Sequence, residues 1–300
     1  MDSLWIVGTG ALANLFAARF RAAQLPVTMM GNWPEGLAAL RKHGVRIVKP
    51  DGHEDVYPVE TVSGDRALPG AKLALVLVKS WQTEKAAEQL DQCLAPDGVA
   101  LTLQNGLGNR EKLVEVLGPD RVALGVTTSG ATLIGPGRVR PGGEGKISLE
   151  RHPRIGKFAS QFARAGFEVE TIENLDSLIW GKLVVNTAIN PLTALLRVAN
   201  GKLIESDDAR SLLAAVANET AQVSAKMGIS LPFEDPALAV EDVARMTASN
   251  RSSMLQDVLR GAPTEIDAIC GAVVRAGEAL GVPTPVNHTL WLLVRALVGK

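Results

Sequence analysis

Lys182, Asn186 and Asn190 recur every four residues within Ile179-Trp180-Gly181-Lys182-Leu183-Val184-Val185-Asn186-Thr187-Ala188-Ile189-Asn190-Pro191-Leu192-Thr193. At about 3.6 residues per turn such a set drifts slowly round a helix and forms one polar stripe. Leu183, Val184, Val185, Ala188 and Ile189 clothe most of the rest, so the helix is expected to be largely buried. A lysine and two amides in apolar surroundings cost several kcal/mol unless partners satisfy them. The competing interpretation is the solvated face of an amphipathic helix. The narrowness of the stripe and the poor helix propensity of asparagine favour a ligand cleft instead. Two later segments carry matching chemistry. Asn250-Arg251-Ser252-Ser253-Met254-Leu255-Gln256-Asp257 offers amide, hydroxyl and helix-start donors suited to a carboxylate. Pro263-Thr264-Glu265-Ile266-Asp267 is expected to begin a helix, where Glu265 either complements the helix dipole or joins the lysine and amides.

A second constellation lies at the start of the chain. Gly8-Thr9-Gly10-Ala11-Leu12-Ala13 is a G-x-G-x-x-A turn between an apolar strand-like run, Leu4 to Val7, and a helix-like one, Ala11 to Ala22. In that setting the first glycine permits a tight turn and the second lets backbone approach a pyrophosphate. The small third residue allows close helix–strand packing, and the helix N-terminus supplies amide donors. The next strand ends in Met29-Met30-Gly31-Asn32-Trp33. An acid at that point reads the ribose hydroxyls of NAD and an arginine reads the extra phosphate of NADP; Asn32 is neither. Ligands of open parallel sheets collect beyond the carboxyl ends of strands, which singles out Lys79 and Asn105, each directly after an apolar strand. Taken alone, each also reads as an ordinary strand-end or turn residue.

The elements that must position these residues follow from periodicity. Strand and helix patterns alternate through the first half, with strands at 4–7, 27–30, 45–48, 56–62, 73–78, 99–103 and 122–127. Helices are expected at 11–22, 35–42, 84–94 and 110–117. The run Leu73 to Val78, apolar on both faces, suits a parallel strand covered by helices on each side. Hairpin strands between 132 and 149, a helix at 155–164 and a strand at 168–172 complete this half. Thereafter strand signals nearly vanish, and 176–198, 207–227, 237–248, 264–280 and 286–298 read as helices. The expected fold is an α/β Rossmann-type N-terminal domain, residues 1–172, with a doubly wound, mainly parallel sheet. An all-α C-terminal domain, residues 173–300, follows it.

Composition excludes several classes. Of the 300 residues, 46% are apolar and 21% charged, far from the regime of disorder. A formal net charge of -1 gives no general attraction to nucleic acid or anionic lipid. His43, His53, His152 and His288 form no close ligand pair, and Cys93 and Cys270 lie far apart, so no metal is expected. With no export signal or membrane-span pattern, a soluble cytoplasmic protein is the expectation.

The glycine turn, Lys-x-Trp-Gln at 79–82, Asn-Gly-x-Gly at 105–108 and Trp-x-Lys-Leu-x-x-Asn-x-x-x-Asn-Pro-Leu-Thr-Ala at 180–194 occur in one order with Ser-Ser-Met-Leu-Gln-Asp at 252–257 and Thr-Glu-Ile-Asp at 264–267. Over essentially its whole length the chain resembles the ketopantoate reductase (2-dehydropantoate 2-reductase) family. The resemblance implies NADPH-dependent reduction of the C2 ketone of 2-dehydropantoate to pantoate, a step towards pantothenate and coenzyme A. It implies that Lys182 is the general acid and that Asn186, Asn190, Asn200, Asn250 and Ser253 bind substrate, with Ser253 on its carboxylate. It further implies that Gly8, Thr9, Gly10, Ala11, Leu12, Ala13, Asn32, Lys79, Asn105, Ala131 and Glu265 face the cofactor, Glu265 also lying near Lys182. Asn32 stands where the family usually has a phosphate-reading arginine, which admits NADH beside NADPH. A protonated Lys182, with an ordinary lysine pKa of about 10.4, is the expected proton source. The expected partner is a small keto acid, and related enzymes occur as monomers or homodimers. Two other functions compete. A reductase of another small 2-keto acid would use the same residues, whereas a non-catalytic NADPH sensor would keep the glycine turn without needing the Lys182 stripe.

Overall fold

The computed structural model describes residues 4–66 and 69–299. The strands are β1 (Leu4–Val7), β2 (Val27–Gly31), β3 (Val45–Val48), β4 (Glu54–Tyr57), β5 (Glu60–Ser63), β6 (Ala71–Val76), β7 (Leu94–Thr102), β8 (Val122–Thr127), β9 (Ala131–Gly135), β10 (Arg138–Pro141), β11 (Lys146–Glu150) and β12 (Glu168–Ile172). The α-helices are α1 (Ala11–Ala22), α2 (Pro34–His43), α3 (Thr83–Cys93), α4 (Asn109–Leu117), α5 (Gly156–Arg164), α6 (Asp176–Leu196), α7 (Asp207–Lys226), α8 (Pro236–Met246), α9 (Ser253–Leu259), α10 (Cys270–Leu280) and α11 (Pro285–Val298). The chain divides into two compact units. One comprises residues 1–104 and 109–175, the other 105–108 and 176–300.

In the first unit an eight-stranded sheet runs β12-β11-β8-β7-β6-β1-β2-β5. Its pairings are parallel except for β11 against β8. Strand alternation explains why both faces are covered. Leu4 and Ile6 of β1 join α1 and α5 in one core, where Phe16, Phe20, Phe158 and Phe162 are fully buried. Trp5 and Val7 point the other way, towards Ala86, Ala87 and Leu90 of α3 and Leu113 of α4. This is the doubly wound arrangement that two-sided apolar strands require. A smaller four-stranded sheet, β4-β3-β10-β9, packs on α1.

Two expected elements differ. The single strand expected at 56–62 is two strands, β4 pairing with β3 in the small sheet and β5 with β2 in the large one. Pro58 lies between them; its ring removes a ladder donor, and the chain changes sheet there. The helix expected from Thr264 begins only at Cys270. Residues 265–269 are tight turns, with the amides of Ala268 and Ile269 both donating to the Glu265 carbonyl.

In the second unit α6 is the central helix, packed by α7, α8, α9 and α11. Val184 and Ala188 face one apolar cluster, while Trp180 and Leu183 face another built from α9, α10 and α11. Pro191 sits inside α6 and cannot donate to the Thr187 carbonyl one turn earlier. The buried Cys270 thiol lies 3.7 Å from that carbonyl oxygen and donates to it instead. The helix continues through the proline to Leu196, and burial pushes the Cys270 thiol pKa far up.

Candidate functional site

The glycine turn is held at fixed points. The Gly8 amide donates to the Met30 carbonyl at 2.7 Å, and the Leu77 amide donates to the Val7 carbonyl at 2.8 Å. Gly8 has φ +131°, and a Cβ there would stand 2.9 Å from the Leu77 carbonyl oxygen. Only glycine satisfies both conditions. Asn14, one turn into α1 and completely buried, donates through Nδ2 to the carbonyls of Thr9 at 2.9 Å and Gly10 at 2.8 Å. The turn's carbonyls are therefore committed to the interior. No side chain caps the N-terminus of α1, its first turn carries no acid, and a Cβ on Gly10 would meet open space. Free first-turn amides, an uncompensated dipole and an open cradle fit a dinucleotide pyrophosphate.

Asn32 follows β2, as expected, and is paired. Its Nδ2 donates to Gln89 Oε1 on α3 at 3.3 Å, and Gln89 Nε2 donates back to Asn32 Oδ1 at 3.1 Å. Of the nearby cations, Arg41 donates to Thr61 Oγ1 at 3.0 Å and Lys85 lies 3.6 Å from Asp65. Lys79 follows β6 and opens a short 3-10 turn, its amide donating to Gln82 Oε1. The loops after β6 and β7 are tied together by Gln104, whose Nε2 donates to the Val78 carbonyl and to Thr83 Oγ1, both at 2.9 Å. Asn105, the next residue, belongs to the segment that clusters with the second unit, where the Leu107 amide donates to the Ala268 carbonyl. Ala131 opens β9 and is half-buried.

In the second unit α6 carries the expected stripe: Lys182 and Asn186 are half-buried and Asn190 is buried. Burial pushes the Lys182 ammonium down from 10.5 to about 8, against the opposing pull of the Glu265 carboxylate. This corrects the expectation of an ordinary lysine. The cause is desolvation, which disfavours the charged form by more than the attraction of Glu265 restores. Glu265 is buried, on the turn before α10 and not within a helix. It does not start a helix, and its carboxylate attracts the Lys182 ammonium.

Asn200 is buried, its amide donating to the Asn250 carbonyl at 2.9 Å and its Nδ2 to Thr247 Oγ1 at 2.9 Å. Its Oδ1 is buried without a hydrogen-bond partner, an acceptor suited to a hydroxyl group. Asn250 is exposed, while Ser253 is half-buried at the first position of α9. Thr193 of α6 lies 2.7 Å from Ser252 Oγ, which caps α9 by accepting from the Leu255 amide at 3.0 Å. Asp257 is buried and paired with Arg260 at 2.7 Å, a structural role.

Four residues here were not singled out from sequence: Asn14, Gln89, Thr193 and Thr247. Asn14 alone left a signal, as a polar residue in the otherwise apolar front of α1. Gln89, Thr193 and Thr247 act through partners 47 or more positions away, and no local pattern marks them. Among the described residues no three His, Cys, Asp or Glu side chains gather into a metal site, and no helix is long and apolar enough to cross a membrane.

Comparison with known proteins points in one direction. A family model described as ketopantoate reductase PanE/ApbA matches residues 4–154, and its C-terminal companion matches residues 174–298. The 2-dehydropantoate 2-reductase of Archaeoglobus fulgidus is 39% identical over 297 residues, covering 97% of this chain and 96% of that protein. That of Halobacterium salinarum is 36% identical over 297 residues, covering 97% of each. Among solved structures, a PanE/ApbA family ketopantoate reductase from Ralstonia eutropha aligns with TM-score 0.91 and 33% identity over 99% of both chains. A D-mandelate dehydrogenase in ternary complex with NADH and anilino(oxo)acetate aligns with TM-score 0.93 and 26% identity, over 99% of this chain and 98% of that one.

Proposed function

The chain belongs to the ketopantoate reductase family, and on that premise we propose that it reduces the C2 ketone of 2-dehydropantoate to pantoate at the expense of a reduced nicotinamide dinucleotide. The observation that carries this reading is Lys182, on the buried stripe of α6, with its pKa brought down to about 8 and Glu265 opposing the fall. A proton donor works best when its pKa lies near the working pH. At neutral pH a group titrating near 8 is still about nine-tenths protonated, yet it gives up its proton far more readily than an ordinary lysine.

The bound dinucleotide supplies the hydride. The protein's own part is the other half of the reaction: as the ketone oxygen gains negative charge, Lys182 Nζ stabilises it and transfers a proton to it, leaving a secondary alcohol and a neutral amine. Glu265 keeps the ammonium charged and in place between turnovers. Asn186, Asn190 and Asn200 offer the amide donors and acceptors that a hydroxylated acid needs, and Ser253 with Asn250 is suited to the carboxylate. Gly8, Thr9, Gly10, Ala11, Leu12 and Ala13 hold the pyrophosphate, with Asn32 at the adenosine ribose and Lys79, Asn105, Ala131 and Glu265 towards the nicotinamide. The family implies NADPH as the reductant; NADH delivers the same hydride, so the reduction itself does not depend on the choice.

A second reading is favoured by the D-mandelate dehydrogenase likeness: reduction of another 2-keto acid, with an aryl group in place of the branched hydroxyalkyl chain. Steady-state oxidation of NADH and NADPH with 2-dehydropantoate and with phenylglyoxylate decides between them. The proposal expects a kcat/KM for 2-dehydropantoate at least tenfold above that for the aryl acid, and the reverse order would transfer the chain to the second reading.

A further inference from the structure

Beyond the reductase reading, on which this inference rests, the geometry points to the Asn32–Gln89 amide pair as the element that selects between the two nicotinamide dinucleotides, taking NADH in preference to NADPH. Asn32 stands directly after β2, where a doubly wound fold meets the adenosine ribose. Its side chain is not a loose surface amide. Asn32 and Gln89 exchange two hydrogen bonds, at 3.3 and 3.1 Å, joining the end of β2 to the middle of α3. Gly64, whose amide donates to the Gly31 carbonyl at 3.0 Å, floors the pair. A Cβ there would lie 2.5 Å from Asn32 Oδ1 and would collide with the Gln89 amide nitrogen. The close approach of these two amides to the β5 loop thus depends on a glycine.

The chemistry of such a pair is that of a hydroxyl and not of a phosphate. Each amide keeps one N–H and one carbonyl lone pair beyond those spent on its partner. A ribose 2′-hydroxyl both donates and accepts, and matches that mixture. A 2′-phosphate only accepts, so it meets two carbonyl oxygens with no compensating cation on the pair. The surrounding charges do not supply the deficit. Lys85 is engaged by Asp65, one residue beyond Gly64, and Arg41 is turned to Thr61. The Asp65–Lys85 pair carries no net charge and so adds no attraction for a 2′-phosphate. Arg66, exposed in the same loop, is the cation that an opposing account would have to use. In this arrangement Asn32 is the specificity residue and Gln89 a positioning residue that acts through it.

The test is direct binding, read by quenching of protein tryptophan fluorescence and by the enhanced emission of the bound nicotinamide, without substrate. The wild-type protein is expected to bind NADH more tightly than NADPH by about fivefold or more. Asn32→Arg should tighten NADPH about tenfold, the size of one hydrogen bond between charged partners, and weaken NADH several-fold, because the amide that matches the 2′-hydroxyl is lost. Gln89→Leu should weaken NADH several-fold with NADPH and thermal stability little changed, a loss of discrimination that a purely structural role would not produce. Wild-type preference for NADPH by tenfold or more would overturn the selector while leaving the reductase reading intact. If Arg66→Ala erased that preference, the phosphate would be read by Arg66 instead. Binding of neither nucleotide would overturn both readings.

Discussion

Replacing Lys182 by methionine should make the protein slower and more stable at once. A fall in pKa from 10.5 to about 8, at about 1.4 kcal/mol per tenfold change in proton affinity, means that burial disfavours the ammonium by about 3 kcal/mol, the attraction of Glu265 already included. Methionine fills nearly the same volume without the charge, so no cavity offsets the gain, as it would for alanine. The sign with pH is fixed by linkage. Below pH 8 the lysine is charged in the folded and the unfolded chain, and the whole penalty applies. Between about 8 and 10.5 the folded protein has lost the proton and the unfolded chain still holds it, so the penalty fades as pH rises. The stability advantage of Lys182→Met over wild type should therefore be about 3 kcal/mol at pH 7 and less than about 1 kcal/mol at pH 10. Urea unfolding followed by circular dichroism at both pH values measures it. Turnover of the same variant should fall by roughly 100- to 10,000-fold, as loss of a general acid does. A variant less stable than wild type at pH 7, or one with near-normal turnover, would refute the description of Lys182 as a buried proton donor held at an energetic cost.

Two further outcomes follow from the same groups and their neighbours. For the reduction, kcat/KM should be level through neutrality and decline above about pH 8 as Lys182 loses its proton; because Glu265 raises that pKa, Glu265→Gln should move the decline to lower pH, and a break left unmoved would separate the two residues. Glu219 on α7 accepts from the amides of Val286 and Asn287 at 2.8 Å and from Asn287 Nδ2 at 2.9 Å, capping the start of α11. Glu219→Gln turns an N–H towards one of these donors and should cost about 2 kcal/mol in urea unfolding with kcat little changed; unaltered stability would show that the cap is idle.

The parts of the molecule that sequence exposes are those governed by local periodicity. Leu4–Val7 reads as an apolar strand, and the structure buries Leu4 and Ile6 on one face of it and Trp5 and Val7 on the other. The four-residue spacing of Lys182, Asn186 and Asn190 gave the stripe on α6 for the same reason. Where a decision depended on distant partners, local pattern misled. The apolar run 56–62 reads as one strand, because nothing within it reveals that β4 pairs with β3 while β5 pairs with β2 across Pro58. Thr264-Glu265 resembles a helix start, yet the chain turns tightly for six residues first, with the Ala268 carbonyl accepting from the Leu107 amide of a segment far away in sequence.

The same limit explains why the position of Lys182 on α6 was legible in sequence and its proton affinity was not. Spacing identifies which face of α6 the amine shares with two amides, but proton affinity depends on what surrounds that face. Those surroundings come from elsewhere in the chain: the cluster below Trp180 and Leu183 draws on α9, α10 and α11, and the opposing charge comes from Glu265 on a turn 83 residues later. Even the carbonyl that Pro191 abandons at Thr187 finds its donor at a distance, in the Cys270 thiol. Proton affinity in this unit is thus a property of packing, and a helix identified by pattern alone still lacks the neighbours that shift the pKa of its lysine.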